Sequence, residues 1–555
     1  MMISTFHGLE TARRGMSTQQ NALFVTGHNI ANANTPGYSR QRVNFVQTEP
    51  FPAPAINRPQ IPGQMGTGVK AGSIQRIREA FLDVQYRNEQ NKLGYWESKA
   101  KSLSKMEDIV NEPSTNGLSA VMGEFWQSLQ DLATYPENEG TRQVVLERGR
   151  AVADTFHFLN DSLTTIKNDL GNEVSVNLKE INSLLKQIAD LNKQIGEIEP
   201  HGYLPNDLYD QRDLMVDQLS NHLNIRVVKT KSGGKPQEIA EGQYNIKLVG
   251  TDGKERNLVT ADDYVQLGFA GSNGLSYDVP PDKINTISIF DDSGKQQLGT
   301  MDFVDSSDEI AFGTGKLRAL IESYGYETTT GIKGTYPDML DNLDKLAFSF
   351  ANIFNEIHSK GYNLDGDQGS NKFFTTVADS NVDFTDLTKY KGAAKDIILG
   401  NLKPSEIAAS TKQKFDENGN PIGVDAGDGK NALNLANISN MLLTNTAHEL
   451  EGLPNVTIDL QALSVVKTGT LNFFYEGMIG QLGVESMQAN RLTNNSTILR
   501  ESVENNRNSV SSVSLDEEMT NLIKFQHAYN ASARQITVID EMLDKIINGM
   551  GVVGR

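Results

Sequence analysis

The sequence predicts a mainly α protein with an inserted β domain, an α+β fold. Its terminal helices form a coiled-coil-like stem, joined to a long-helix bundle and a β-rich outer domain. Three observations predict it. Apolar residues recur at helical spacing at both ends of the chain. A long periodic segment runs from about Thr141 to Glu199. Between the helical regions, short alternating apolar and polar runs are broken by turn dipeptides. At 555 residues the chain has material for roughly three or four domains with real cores.

At the first end, Ile3, Phe6, Leu9, Met16, Leu23 and Ile30 approach the three-four alternation of a coiled-coil seam. This helix is expected to end near Asn34, because the residue before Pro36 is pushed out of α geometry. Asn34 tolerates a left-handed cap, and Pro36-Gly37 fits the central pair of a type II turn. Asn29 and Asn32, three apart, share one face where the chain leaves the seam. Gly8, Gly15 and Gly27 each cost about 1 kcal/mol relative to alanine. About eight buried seam residues contribute on the order of 16 kcal/mol, against an ordering cost at least as large. The first helix is therefore expected to be marginal until neighbouring subunits cover it.

At the other end the alternation is stricter: Leu515, Met519, Leu522, Gln526, Tyr529, Ala533, Ile536, Asp540, Leu543 and Ile547. Ser514 and Glu517 form a capping-box pattern, with Asp516 and Glu518 also in the positive first turn. Gly549 and Gly551 end this helix.

Further helices are expected from Ile74 through Ile77, Phe81, Val84 and Leu103 to Ile109, stopping before Pro113, and over Val121, Phe125, Leu129 and Leu132. Others cover Leu340 to Ile357 and the Leu471 to Thr497 region. The stretch "YNIKLVGTDGKERNLV" alternates around Asp252-Gly253, and further turns are expected at Ser293-Gly294 and Asn418-Gly419. The order is helices, strands, helix, strands, helices. It divides the chain into a terminal-helix domain (1–60 with 505–555), a helical bundle (61–225 with 315–361 and 439–504) and a β-rich outer domain (226–314 with 362–438).

Chemistry is sparse. Net charge is −19 and no basic run of five residues occurs, which argues against nucleic acid as the main partner. No apolar run is long enough to span a bilayer, so no membrane insertion is expected. The first twenty residues lack the form of a cleavable secretory signal. With no cysteine, disulfides and thiolate chemistry are excluded. The eight histidines form no pair at metal-ligand spacing. "GTGVKAG" at Gly66 follows a proline-rich connector instead of the buried strand a dinucleotide site requires. "GTGKLRAL" has Ile310 where a phosphate loop needs its first glycine. "DENGNPIGVDAG" has Pro421 and Gly427 where a calcium loop needs Gly and Glu. No catalytic residue, cofactor or metal is expected.

Several motifs carry a resemblance. "NIANANTPGYSRQ" (29–41), "GTGVKAGSIQRIREAFLDVQYR" and "SLDEEMTNLIKFQHAYNASARQITVIDEMLDKII" resemble the ends of bacterial flagellar axial proteins, the rod, hook and hook-associated group. "NDLYDQRDLMVDQLSNHLNI", "LAFSFANIFNEIHSKGYNLDG" and "GDGKNALNLANI" are similar to segments of the hook-associated members. The resemblance covers nearly the whole chain outside the β insertions. It implies a non-enzymatic adaptor at the hook-filament junction, extracellular, exported unfolded through the flagellar type III route without a cleaved signal peptide. The partners implied are hook protein, a second hook-associated junction protein, further copies of itself in a ring or helical layer, and a flagellar export chaperone. The implied assembly interface comprises Phe6, Leu9, Met16, Leu23 and Ile30 with Asn29, Asn32 and Asn34 on the first helix. On the last helix it comprises Leu515, Met519, Leu522, Gln526, Tyr529, Ile536 and Leu543. The implied chaperone anchors are Phe525, Tyr529, Ile536 and Ile539. The alternatives are another axial protein of hook or distal rod, or a secreted adhesin-like surface-binding protein whose function sits in the insertions.

Overall fold

The computed structural model describes residues 5–52, 55–57, 63–110, 117–369, 371–415, 421–425 and 427–549. The chain opens with α1 (Thr5–Ala31), β1 (Gln41–Gln47) and β2 (Val69–Arg76). It continues through α2 (Ala80–Val110), α3 (Leu118–Thr134), α4 (Glu139–Ile198) and α5 (Asn206–His222). The first insertion holds β3 (Ile225–Thr230), β4 (Gln243–Val249), β5 (Glu255–Thr260), β6 (Asp263–Tyr264), β7 (Gln266–Gly271), β8 (Gly274–Ser276), β9 (Thr286–Phe290) and β10 (Gln297–Asp302). Then come α6 (Lys316–Tyr324) and α7 (Thr335–Lys360). The second insertion carries α8 (Ala393–Asp396) and α9 (Lys430–Ala436) among short hairpins. The chain closes with α10 (Leu460–Leu463), α11 (Leu471–Ser511) and α12 (Leu515–Gly549).

The periodic segment from Thr141 is one unbroken helix of 60 residues, about 90 Å long at 1.5 Å per residue. Asn138 starts it by accepting the Gly140 and Thr141 amides at 2.8 and 3.4 Å. Its buried stripe includes Val145, Val152, Phe156, Leu163, Leu170, Leu178, Ile181 and Ile188. Around it lies the main core, in which α7 contributes Phe350 and Phe354, packed on Phe374 and Phe373 with centroids 4.9 and 4.7 Å apart.

Two antiparallel four-stranded sheets, β3-β4-β5-β6 and β10-β9-β7-β8, make up the first insertion. The expected turns stand at Gly253 and Gly294, whose φ values of +72° and +69° only glycine adopts freely. The Asn418-Gly419 turn, Pro113, Ile3 and Gly551 lie outside the described residues.

Three features depart from the expected organisation. Ile74 belongs to β2, not to a helix: residues 69–76 pair with 41–47 in a hairpin bulged at Asn44/Phe45, so this part of the expected bundle joins the terminal unit. Residues 505–511 continue α11, which packs on α2, so the last helix starts at Leu515. The two insertions, expected to share one outer domain, dock at opposite ends of α4. Asn182 and Asn192 donate to the Leu267 and Tyr244 carbonyls, both at 2.8 Å, near the C-terminal end. Arg142 reaches the Ile407 carbonyl at 2.8 Å, and the ring of Phe373 lies against Gly149, near the N-terminal end. Along α4 the second insertion's contacts reach His157, on the Ile397 carbonyl, and the first insertion's reach back to Lys167, on Asp282, ten residues or about 15 Å further on.

Candidate assembly surface

The two ends of the chain pair with each other. α1 and α12 run antiparallel, and the seam is a heptad of small residues: Gly8, Gly15, Ala22 and Asn29. A Cβ on Gly8 would stand 3.3 Å from Ile539 Cδ1, and one on Gly15 would stand 3.2 Å from Ser532 Oγ. Ala22 packs with Val25 and Val43 in a small core that Phe525, Ala71 and Ile74 border. Asn29 meets Glu518. Opposite residues therefore step by seven on both helices, and two of the helix-weakening glycines are what let the axes approach. A Cβ on Gly27 would meet nothing within 4 Å.

The residues expected to form the seam sit one position further along, rotated about 100° from it. Leu9, Met16, Leu23 and Ile30 flank the contact and stay half-exposed, while Phe6 is exposed. On α12, Leu522, Phe525, Tyr529, Ile536, Ile539 and Leu543 are half-buried toward α1, whereas Leu515, Met519 and Gln526 are exposed. The periodicity of large apolar residues pointed to the rim; the heptad of small residues was the signal for the contact itself.

The asparagines divide. Asn34 is exposed and Asn32 bonds back to the His28 carbonyl at 3.1 Å, as residues leaving a helix do. Asn29 is buried, and its side chain bonds within the chain. Its Nδ2 donates to the Gln41 carbonyl at 2.8 Å and to Glu518 Oε2 at 3.1 Å. Its Oδ1 accepts the Gln41 amide at 3.0 Å and the Tyr38 hydroxyl at 2.8 Å. One side chain thus ties α1, β1 and α12. The Pro36-Gly37 turn, with Gly37 at φ +79° and the Tyr38 amide on the Thr35 carbonyl at 3.2 Å, brings Tyr38 and Gln41 back onto it. Burial, then Asp207, Asp210 and Glu518, push the Tyr38 hydroxyl above its ordinary range, so it stays a donor.

The same loop docks on the body. The Ser39 amide donates to Asp210 Oδ2 at 3.0 Å and the Gln41 side chain to Asp207 at 2.9 Å. Arg40 pairs with Glu517 and Glu518 at 2.6 and 2.7 Å, which takes both carboxylates away from a full capping box at Ser514. Beneath lies a buried ionic network. Arg76 contacts Asp210, Asp213 and Glu241 at 2.7, 3.0 and 2.5 Å. Arg87 meets Asp217 at 2.7 Å. Arg507 meets Asp217 at 2.6 Å and lies 3.9 Å over the Tyr86 ring. Burial alone would raise Asp213, yet the guanidiniums of Arg78, Arg76, Arg87 and Arg212 hold it well below the usual carboxylate range. Sequence reasoning missed this network because charged residues on a helix are ordinarily solvated; the dense Asp/Arg spacing of "NDLYDQRDLMVDQ" was its trace.

Among the described residues no group of three or more potential ligands could hold a metal, and no helix is long and apolar enough to cross a membrane. Gly66 precedes an antiparallel strand and Gly315 opens the short α6, so neither glycine motif has the strand-to-helix setting of a phosphate cradle.

Comparison with known proteins falls on these same elements. Residues 9–38 match the flagella basal body rod protein model, and residues 505–549 the flagellar basal body rod FlgEFG protein C-terminal model. Residues 103–374 match the helical domain of flagellar hook-associated protein FlgK. Rod-type ends paired across a long helical body define a structural component of the bacterial flagellum. Flagellar hook-associated protein 1 of Bacillus subtilis (strain 168) is 42% identical over 560 residues, covering 100% of both chains. That of Salmonella typhimurium (strain LT2) is 25% identical over 587 residues, covering 97% of this chain and 98% of that one. The solved flagellar hook junction protein FlgK from Burkholderia pseudomallei shares the fold, with a TM-score of 0.55 at 16% identity over 77% of this chain and 100% of that one. The chain belongs to the flagellar hook-associated protein 1 family.

Proposed function

We propose that the chain is a non-enzymatic structural adaptor between hook and filament, exported without a cleaved signal and polymerised outside the cell through its terminal helices. One observation carries the reading. The α1–α12 seam closes on small residues and leaves the large ones outside, with Phe6 and Phe24 67% and 78% exposed on one face, five turns apart. Half-exposed Leu9, Leu23 and Ile30 widen this surface beside them. Apolar surface of that kind is covered by a partner, and in a ring or helical layer the partners are neighbouring copies, with hook protein on one side and a second junction protein on the other. The test is electron microscopy of cells lacking the chain. Complete hooks without filaments are expected, and Leu23→Asp should reproduce the defect while leaving the body folded. Filaments in the absence of the chain would refute the reading; stunted hooks would move it to a hook or distal rod role.

Before assembly, α12 needs cover as well. Phe525, Tyr529, Ile536 and Ile539 face α1 here, so an export chaperone that uses them as anchors competes with α1 for the same face. Binding of the chaperone to residues 505–555 should weaken with Phe525→Ala or Ile536→Ala. Undiminished binding to a chain truncated at residue 505 would place the anchors elsewhere.

A further inference from the structure

Helix α11 carries an apolar stripe that none of the described residues covers. Phe473, Val484, Met487 and Ile498 are all exposed and fall within about 60° of one another, opposite the stripe by which α11 packs on α2 and α7. Gly477, Gly480 and Gly483 lie on or beside the same exposed face, and a Cβ on any of them would meet nothing within 4 Å. Each costs about 1 kcal/mol in a helix. Gly8 and Gly15 repay that cost within the chain by admitting α12; these three do not, and they leave a notch beside the stripe.

A second exposed stripe lies on α4, where Val144, Phe158 and Val176 fall within about 40° of one another, away from its buried face. α11 packs on α2 and α7, and α4 packs chiefly on α3, α5 and α6, so each stripe lies on the side of its own helix turned away from its buried residues. They also run in the same sense. α2 and α5 are parallel, since Arg87 meets Asp217 and Asn91 meets the Ser220 carbonyl. α5 is antiparallel to α4, through Arg212 to Asn192 and His222 to Asn177. α2 is antiparallel to α11, through Tyr86 to Arg507 and Glu107 to Ser486. A copy rotated about an axis along the helices therefore presents its α4 parallel to the first copy's α11.

We infer that α4 of one copy packs side by side on α11 of the next, with Phe158 in the notch at Gly480. This rests on the assembly reading above. The stagger is set by the residues themselves. Eleven positions beyond Phe158 and Gly480, Asp169 stands opposite Arg491; eighteen beyond, Val176 stands opposite Ile498. Asp169 and Arg491 are exposed, and neither side chain has a hydrogen bond or ion pair among the described residues. Charge agrees more widely, because Asp154, Asp161 and Asp169 surround Phe158 on an exposed acidic face, while the α11 face between Gly477 and Ile498 carries only Arg491. The two surfaces differ, so the contact is head-to-tail and propagates instead of closing a two-fold pair.

A cysteine-free chain makes the test clean. Chains carrying Phe158→Cys with Gly480→Cys, or Asp169→Cys with Arg491→Cys, should give a disulfide-linked ladder in isolated flagella, and each single variant should give none. All four positions are exposed or open, so folding is unaffected. Phe158→Asp, equally harmless to the fold, should be exported but cause loss of filaments. Flagella built by both double variants without cross-links, a dimer from Phe158→Cys alone, or a normal filament number with Phe158→Asp would overturn this register. If cells lacking the chain still build filaments, it is the junction reading that falls.

Discussion

Replacing Asn29 by alanine should release the terminal unit without unfolding the body. The side chain makes three hydrogen bonds to neutral groups and one to the Glu518 carboxylate. At about 1 kcal/mol for each neutral bond and about 2 kcal/mol for the charged one, the loss approaches 4–5 kcal/mol. Water entering the vacated space returns part of that, so about 3–4 kcal/mol is expected. Glu518 keeps Arg40 at 2.7 Å, so no unpaired charge is created. The assay is amide hydrogen exchange at Gln41, whose N–H is held by Asn29 Oδ1 at 3.0 Å. A loss of about 3–4 kcal/mol speeds exchange there by roughly two to three orders of magnitude, while amides of α4 and α7 keep their protection. Asn29→Asp should be at least as damaging. It retains the acceptor for Gln41 and Tyr38 but replaces the donor facing Glu518 with a second carboxylate. Unchanged exchange at Gln41, full tolerance of Asn29→Asp, or an equal loss of protection in α7 would each refute the reasoning.

Other outcomes are expected from the same structure. Gly27→Ala should stabilise α1 by about 0.5–1 kcal/mol because its Cβ meets open space, whereas Gly15→Leu should separate α1 from α12, as thermal melts followed by α-helical circular dichroism will show. Arg142 is buried with no carboxylate partner among the described residues and donates to the carbonyls of Pro136, Pro404 and Ile407 at 2.6, 3.2 and 2.8 Å. Arg142→Ala should cost about 2–4 kcal/mol in urea titrations and loosen residues 404–407 first. Two groups on α7 oppose each other in acid. Burial lowers His358 from 6.5 to about 4, so the unfolded chain takes that proton first, and stability present above pH 6.5 is lost as pH falls toward 4. Burial raises Asp344 from 3.8 to about 6, so its contribution is present below pH 3.8 and lost as pH rises toward 6. Each amounts to roughly 3 kcal/mol. Unfolding free energy measured against pH between 4 and 6.5 should therefore fall more steeply in acid for Asp344→Asn than for the natural chain, and less steeply for His358→Gln.

Helices were legible where one face was buried throughout. The stripe from Val145 to Ile195 wrote α4 into the sequence, and Leu340 to Ile357 wrote α7. What could not be read depended on partners distant in the chain. Ile74 has helical spacing to Ile77 and Phe81, yet pairing with Val43 makes it a strand residue, and no local pattern announces that partner. Large apolar side chains mark a line one residue away from the true seam, because close approach of the helices demands Gly8 and Gly15 there. Asn29 reads locally as a helix-ending amide; only the fold brings Gln41 and Glu518 to it. The Arg76–Asp213 network was illegible for the same reason, since burial of its charges comes from the assembled hairpin, α2, α5 and α11. Docking of the two insertions at separate places on α4 follows from its length, which the sequence did state.

That length makes α4 a ruler with an angular scale. Between His157, which bonds the Ile397 carbonyl, and Asn182, which bonds the Leu267 carbonyl, deleting one residue would shorten the span by about 1.5 Å and turn one insertion about 100° against the other. Seven, eleven or eighteen residues nearly restore the phase, whereas five or six throw it far off. The insertions themselves meet no such condition, because loops at their tips absorb added chain at little cost. Homologues should therefore differ in size in the two β-rich regions and hold the interval on α4 fixed, so that the insertions vary while the geometry that presents them does not.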